Sequence, residues 1–205
     1  MPITVGGGIR SINDIKEALV NGADRVSINT AAVNDKKFIK ESVKIFGSST
    51  IAITIEALKI EQKYKVYTDT GRNDTKIDVF EWIKEAQDMG IGEIILTSIN
   101  NEGIGKGFDL NLYEKASKLC NISLLAHGGA RNLDDVYRLF INSDVDGAVI
   151  ASAFHFNYYK ELLKRKEISL QGSTNFLIDK DYKKMFFFEI QELKKYLKSK
   201  NINIR

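Results

Sequence analysis

Short apolar runs alternate with amphipathic stretches along most of the chain, and their periods separate two kinds of element. Runs rich in β-branched residues read as strands at Ile3–Val5, Arg25–Ile28, Thr50–Glu56, Glu93–Thr97, Ile122–Ala126 and Asp146–Ala151. Between them, apolar positions recur three and four residues apart in Asn13–Val20, Lys36–Phe46, Val79–Met89, Leu110–Leu119 and Leu133–Ile141, and again in Glu189–Lys198, the spacing of one helix face. Asn21-Gly22, Gly47 and Gly90 mark helix ends, while Ser11 and Asn132 suit helix caps. Strand and helix in regular alternation predict parallel strands joined by helical crossovers, either an open doubly wound sheet or a closed barrel. Two stretches interrupt the rhythm. Tyr64–Thr68 alternates like a strand and leads into the polar Asp69–Thr75, a hairpin-like loop after the third strand, and loops of this length are often functional. Residues 157–187 read as an insertion before the final helix, its aromatics packing on the domain or on a partner.

Composition narrows the class. A chain of 205 residues fits one domain, 1–205, and should bury roughly 70% of its unfolded surface. With 43% hydrophobic and 28% charged residues it is an ordinary globular sequence, and a net charge of +3 does not argue for nucleic acid. Cys120 stands alone, and His127 and His155 lie far apart, so no disulfide, metal-ligand spacing or cofactor motif appears. The amino terminus lacks the basic and apolar regions of a signal peptide, and no apolar run reaches the 18 or so residues of a membrane span. The expectation is a cytoplasmic protein that contacts neither membrane nor nucleic acid.

The strongest chemical signal is a repeat. Gly7-Gly8-Ile9-Arg10-Ser11-Ile12-Asn13-Asp14-Ile15 returns 121 positions later as Gly128-Gly129-Ala130-Arg131-Asn132-Leu133-Asp134-Asp135-Val136. Each copy joins an apolar run to a helix, and the next apolar run ends in small polar residues, Ser27-Ile28-Asn29-Thr30 or Ile150-Ala151-Ser152. A two-glycine turn exposes backbone N–H groups, and a following helix adds its free first-turn donors, which together suit an anion. Two copies suggest a ligand with a phosphate at each end; the alternative is that the glycines only permit tight turns. The duplication favours a barrel, yet a full barrel has eight units in about 250 residues, and six are visible here.

Val5-Gly6-Gly7-Gly8-Ile9-Arg10, the block from Gly22 to Val33, Gly92-Glu93-Ile94-Ile95-Leu96-Thr97-Ser98-Ile99 and Ala151-Ser152-Ala153-Phe154-His155-Phe156 resemble the cyclase subunit of imidazole glycerol phosphate synthase. The resemblance runs from residue 2 to about 156 and resumes in the last helix. It implies a (βα)8 barrel, here incomplete at about six units, because the chain begins at what would be the third strand. It also implies a glutaminase partner in a heterodimer, ammonia as co-substrate and a bisphosphorylated substrate, in histidine biosynthesis, with no resident cofactor.

By that resemblance one phosphate would rest on Gly8, Asn29 and Thr30, and the other on Gly103, Gly129, Ala151 and Ser152. Thr97, Glu102 and Gly128 would also belong to the phosphate- and substrate-binding set, with Glu102 keeping a carboxylate there, and His127, where the family commonly has serine, either donates to a phosphate or is a satisfied strand-end histidine. Glu56 stands where the family has one of its two catalytic aspartates; the other belongs to the first family strand, so low activity of this chain alone is the expectation. Asn100-Asn101-Glu102-Gly103-Ile104 replaces the family's Asp-x-Asp-Gly-Thr. Arg25 and Glu93 would belong to a charged ring gating ammonia at the barrel floor, with Asp24 near the glutaminase interface. Two other readings remain open: a cyclase-like subunit for amidation of a surface-polysaccharide sugar, and a noncatalytic or inactive truncated subunit.

Overall fold

The computed structural model describes residues 1–155, 157–158 and 187–204. Its strands are β1 (Thr4–Gly6), β2 (Arg25–Ile28), β3 (Ile51–Ile60), β4 (Lys63–Thr68), β5 (Asn73–Asp78), β6 (Glu93–Ser98), β7 (Ser123–His127) and β8 (Gly147–Val149). Six of them, β1, β2, β3, β6, β7 and β8, pair side by side in chain order, and every pair is parallel. Helices α1 (Ile12–Val20), α2 (Thr30–Asn34), α3 (Lys36–Phe46), α4 (Val79–Asp88), α5 (Leu110–Ser117) and α6 (Leu133–Asn142) make the crossovers, and α7 (Ile190–Ser199) follows. This is the order of successive units around a TIM barrel, and the barrel is incomplete: among the described residues β1 and β8 each have one strand neighbour.

One sheet face is apolar and covered by the helices. Ile28, Ile53, Ile94 and Leu124 lie in register across it, with Ile55, Leu96 and Ala126 in the next row, all buried. The helices meet them along single stripes. In α4, Val79, Trp82, Ile83 and Ala86 fall at three- and four-residue spacing and are fully buried, each large side chain contributing roughly 1.5–3 kcal/mol. In α6, Val136 and Leu139 do the same. Helix α7 packs on α6 through a Tyr137–Tyr196 edge-to-face pair, and the Tyr196 hydroxyl donates to Asp134 at 3.3 Å.

Several boundaries depart from the sequence pattern. The third strand does not stop at Glu56; it continues to Ile60 because β4 pairs antiparallel with its far half, from Glu56↔Tyr67 to Ile60↔Lys63. The polar loop contains a further strand, β5, which among the described residues pairs with β4 alone and, with Ile77 as its single apolar residue, shows no alternation that would have marked it. Strand β8 is three residues long, since its partner β7 ends at His127 and turns away at Gly128. Helix α2, five residues long, is too short to display a helical period. The expected insertion at about 157–187 lies almost wholly outside the described residues, and among those described no helix is long and apolar enough to cross a membrane.

Candidate functional site

The opposite sheet face is polar and only partly covered. Side chains alternate along a strand, so Ser27 of β2, Thr54 and Glu56 of β3, Thr97 of β6 and His127 of β7 all point away from the helix layer. Glu56, Thr97, His127 and Val149 stand on one line across four strands, which at strand spacing spans about 14 Å. The Thr97 hydroxyl lies 3.0 Å from His127 Nδ1, leaving Nε2 of His127 for anything bound above it. Beneath, the Tyr113 hydroxyl donates to the His127 carbonyl at 2.5 Å and holds the strand end, and burial raises that phenol well above its ordinary pKa.

The duplicated turns share one backbone. Gly7 and Gly8 have φ of 95° and 76°, and Gly128 and Gly129 have 99° and 113°, a conformation that glycine alone adopts readily. The shared aspartate explains itself in both copies. Asp14 accepts from the N–H of Arg10 and Ser11 at 2.8 and 2.9 Å while Ser11 caps Asp14 N–H; Asp135 accepts from Arg131 and Asn132 at 2.9 and 3.1 Å while Asn132 caps Asp135 N–H. These are capping boxes. In each helix one first-turn donor, the Asp14 or Asp135 N–H, is thereby taken by the cap, and a carboxylate sits at the helix start. Hydrogen bonding to the Arg10 and Ser11 groups holds the Asp14 carboxyl below its usual range.

The copies differ in cover. Gly7 and Gly8 are exposed, whereas Gly128 and Gly129 are buried beneath the loop after β6. Gly107 N–H donates to the Gly129 carbonyl at 2.8 Å, and the Asn101 amide donates to the Gly107 carbonyl at 2.7 Å. A Cβ on Gly129 would lie 2.1 Å from the Gly107 carbonyl oxygen, so this glycine is required by packing alone. Gly103 and Glu102 are exposed in the same loop, and Ala151 and Ser152 are exposed where helical backbone begins after β8. Asn29 and Thr30 close β2 on the other side, and the buried Asn29 side-chain oxygen has no hydrogen-bond partner among the described residues.

The turn joining β4 to β5, part of the polar loop marked from sequence, brings to the site residues that sequence had not singled out. Its Gly71 N–H donates to Glu56 Oε2 at 3.0 Å, and Asp69 meets the Thr30 hydroxyl through both its N–H and its carboxylate, each at 3.4 Å. The hairpin carrying that turn is anchored to the loop before α5: the Tyr64 hydroxyl contacts both Asp109 oxygens at 3.0 Å and accepts from Asn111 at 3.0 Å. Burial, reinforced by the Asp109 charge, pushes the Tyr64 phenol up to about 12.

At the opposite ends of the strands lies a charged floor. Arg25 and Glu93 form an ion pair at 2.8 Å, Ser123 lies 3.4 Å from the same Glu93 oxygen, and Arg25 Nε donates to the Ser49 carbonyl at 3.0 Å. Asp24 accepts from the Ile3 N–H at 2.7 Å and so fastens the start of β1 to β2.

A family model described as histidine biosynthesis protein matches residues 1–160. Among similar proteins is the imidazole glycerol phosphate synthase subunit HisF of Chlorobaculum parvum, 39% identical over 176 residues, covering 83% of this chain and 70% of that protein. The subunit of the same name from Bacillus cereus is 45% identical over 157 residues, covering 76% of this chain and 62% of its own length. That from Clostridium botulinum is 38% identical over 184 residues, covering 89% and 69%. The chain belongs to the histidine biosynthesis family, alongside HisF.

In this HisF-family chain the fold therefore separates the expected residues into two groups. Gly8, Asn29, Thr30, Glu56, Thr97, Glu102, Gly103, His127, Gly128, Gly129, Ala151 and Ser152 belong to the carboxyl ends of the parallel strands or to the turns and loops after them. Asp24, Arg25 and Glu93 belong to the amino ends. Asp69 and Gly71 were legible only as part of a polar loop, because their contact with Thr30 and Glu56 depends on how the hairpin folds back.

Proposed function

We propose that this chain is the cyclase-type subunit of an imidazole glycerol phosphate synthase in histidine biosynthesis. It takes ammonia from a glutaminase subunit and converts a bisphosphorylated ribulosyl-aminoimidazole intermediate to imidazole glycerol phosphate and aminoimidazole carboxamide ribotide. The observation that carries the reading is the polar row: Glu56, Thr97 and His127 stand in line on the open face, between two glycine turns of the same backbone geometry. A substrate with a phosphate at each end lies along such a face, one end at Gly8, Asn29 and Thr30, the other at Gly103, Gly129, Ala151 and Ser152.

Glu56 is the proton-transfer group in this account. The Gly71 N–H bond fixes one of its oxygens and leaves the other to the ligand. The Arg25–Glu93 pair, with Ser123 beside it at the amino ends of the strands, supports an ammonia entrance at the floor, where the glutaminase docks. Glu56→Gln keeps size and the bond to Gly71 while removing the base. In the complex with glutaminase it is expected to lower ammonia-dependent cyclisation by about 10²–10⁴-fold relative to the parent chain, with substrate affinity retained. Equal turnover above the uncatalysed rate in parent and Glu56→Gln chains would remove Glu56 from the chemistry.

A further inference from the structure

The turn between β4 and β5 holds three successive residues in the left-handed region, Asp69, Thr70 and Gly71, at φ of 53°, 60° and 73°. Two of these are not glycine, so the conformation is held by its surroundings. Arg72 N–H closes the turn on the Thr68 carbonyl at 3.1 Å, Gly71 N–H is fixed on Glu56, and Asp69 faces Thr30. The consequence is a carboxylate 3.4 Å from the Thr30 hydroxyl, two residues past the end of β2. A threonine hydroxyl has one proton to donate. While Thr30 gives it to Asp69 it cannot give it to a phosphate, and a phosphate brought to Thr30 meets a like charge at close range.

We propose that Asp69 is a specificity-determining residue that weakens phosphate binding at the Gly8–Asn29–Thr30 end and favours groups that donate hydrogen bonds there, such as hydroxyl or ammonium. This rests on reading that end as a phosphate site. The contacts to Thr30 are long and exposed, so giving up the hydroxyl to a ligand costs little.

Asp69→Asn separates charge from geometry, because asparagine keeps the acceptor for Thr30 and tolerates the left-handed backbone equally well. Inorganic phosphate is titrated by calorimetry into the parent full-length chain and into Asp69→Asn, Thr30→Val and the double variant. The proposal expects Asp69→Asn to bind phosphate about tenfold tighter, solvent screening limiting the gain, and expects the double variant to bind phosphate tighter than Thr30→Val alone, because the gain comes from the removed charge. If Thr30→Val weakens phosphate binding but Asp69→Asn does not strengthen it, the end is a phosphate site and the role of Asp69 is wrong. If neither variant moves the affinity, phosphate does not bind at Thr30 and both the role and the reading beneath it fall.

Discussion

Gly8 and Gly129 hold equivalent places in the two turns but face different surroundings. An added Cβ on Gly8 meets no atom within 4 Å, whereas on Gly129 it enters the Gly107 carbonyl. Alanine at Gly8 is therefore expected to cost only the left-handed strain, about 1–2 kcal/mol, while alanine at Gly129 should cost about 3 kcal/mol or more by forcing the overlying loop away. Thermal or denaturant unfolding of the two variants measures the difference, and equal losses would mean that the loop does not close on Gly129. A ligand test at this end belongs on Ser152, whose substitution does not collide with backbone. A similar lesson applies at Asp24: reversing its charge disturbs the Ile3 N–H bond that attaches β1, so weaker partner binding in that variant would not by itself locate an interface.

At the scale of elements, the hairpin is the part that turns a parallel sheet into a shaped site, and Tyr64 is its anchor. Tyr64→Phe strands the Asp109 carboxylate and the Asn111 amide, and should lower unfolding stability by about 1–2 kcal/mol. The pH dependence has a definite sign. Because the folded phenol titrates near 12, above the unfolded value of 10.0, its contribution is complete below pH 10 and disappears as the pH rises towards 12. Unfolding measured across that interval should show a steeper loss in the parent than in Tyr64→Phe; parallel curves would count against the anchor. Most of this architecture was readable from hydrophobic period, since Lys36–Phe46 and Arg25–Ile28 emerge with the bounds that their apolar spacing marks. Strand β5 and the end of β3 were not, because their partners are supplied by a hairpin whose outer strand carries a single apolar residue, Ile77. Glu56 was legible through resemblance, but its bond to Gly71 arises between residues that only the fold brings together.

For the whole molecule, six parallel strands in chain order put a charged floor at one end and the two glycine turns at the other, with the polar row between. Sequence repetition revealed the turns; it could not reveal that one is open and the other roofed by the loop after β6, a difference set by Gly107 and Asn101. The account stands on the two ends of that face being separate phosphate sites on one surface. The most direct measurement is an amide NMR titration of the chain with imidazole glycerol phosphate, with aminoimidazole carboxamide ribotide, and with both together. The account predicts two disjoint sets of shifted amides, one around Gly8, Asn29 and Thr30 and the other around Gly103, Ala151 and Ser152, with both compounds bound at once. A single shared set, mutual displacement of the two compounds, or no shifts at these residues would contradict it.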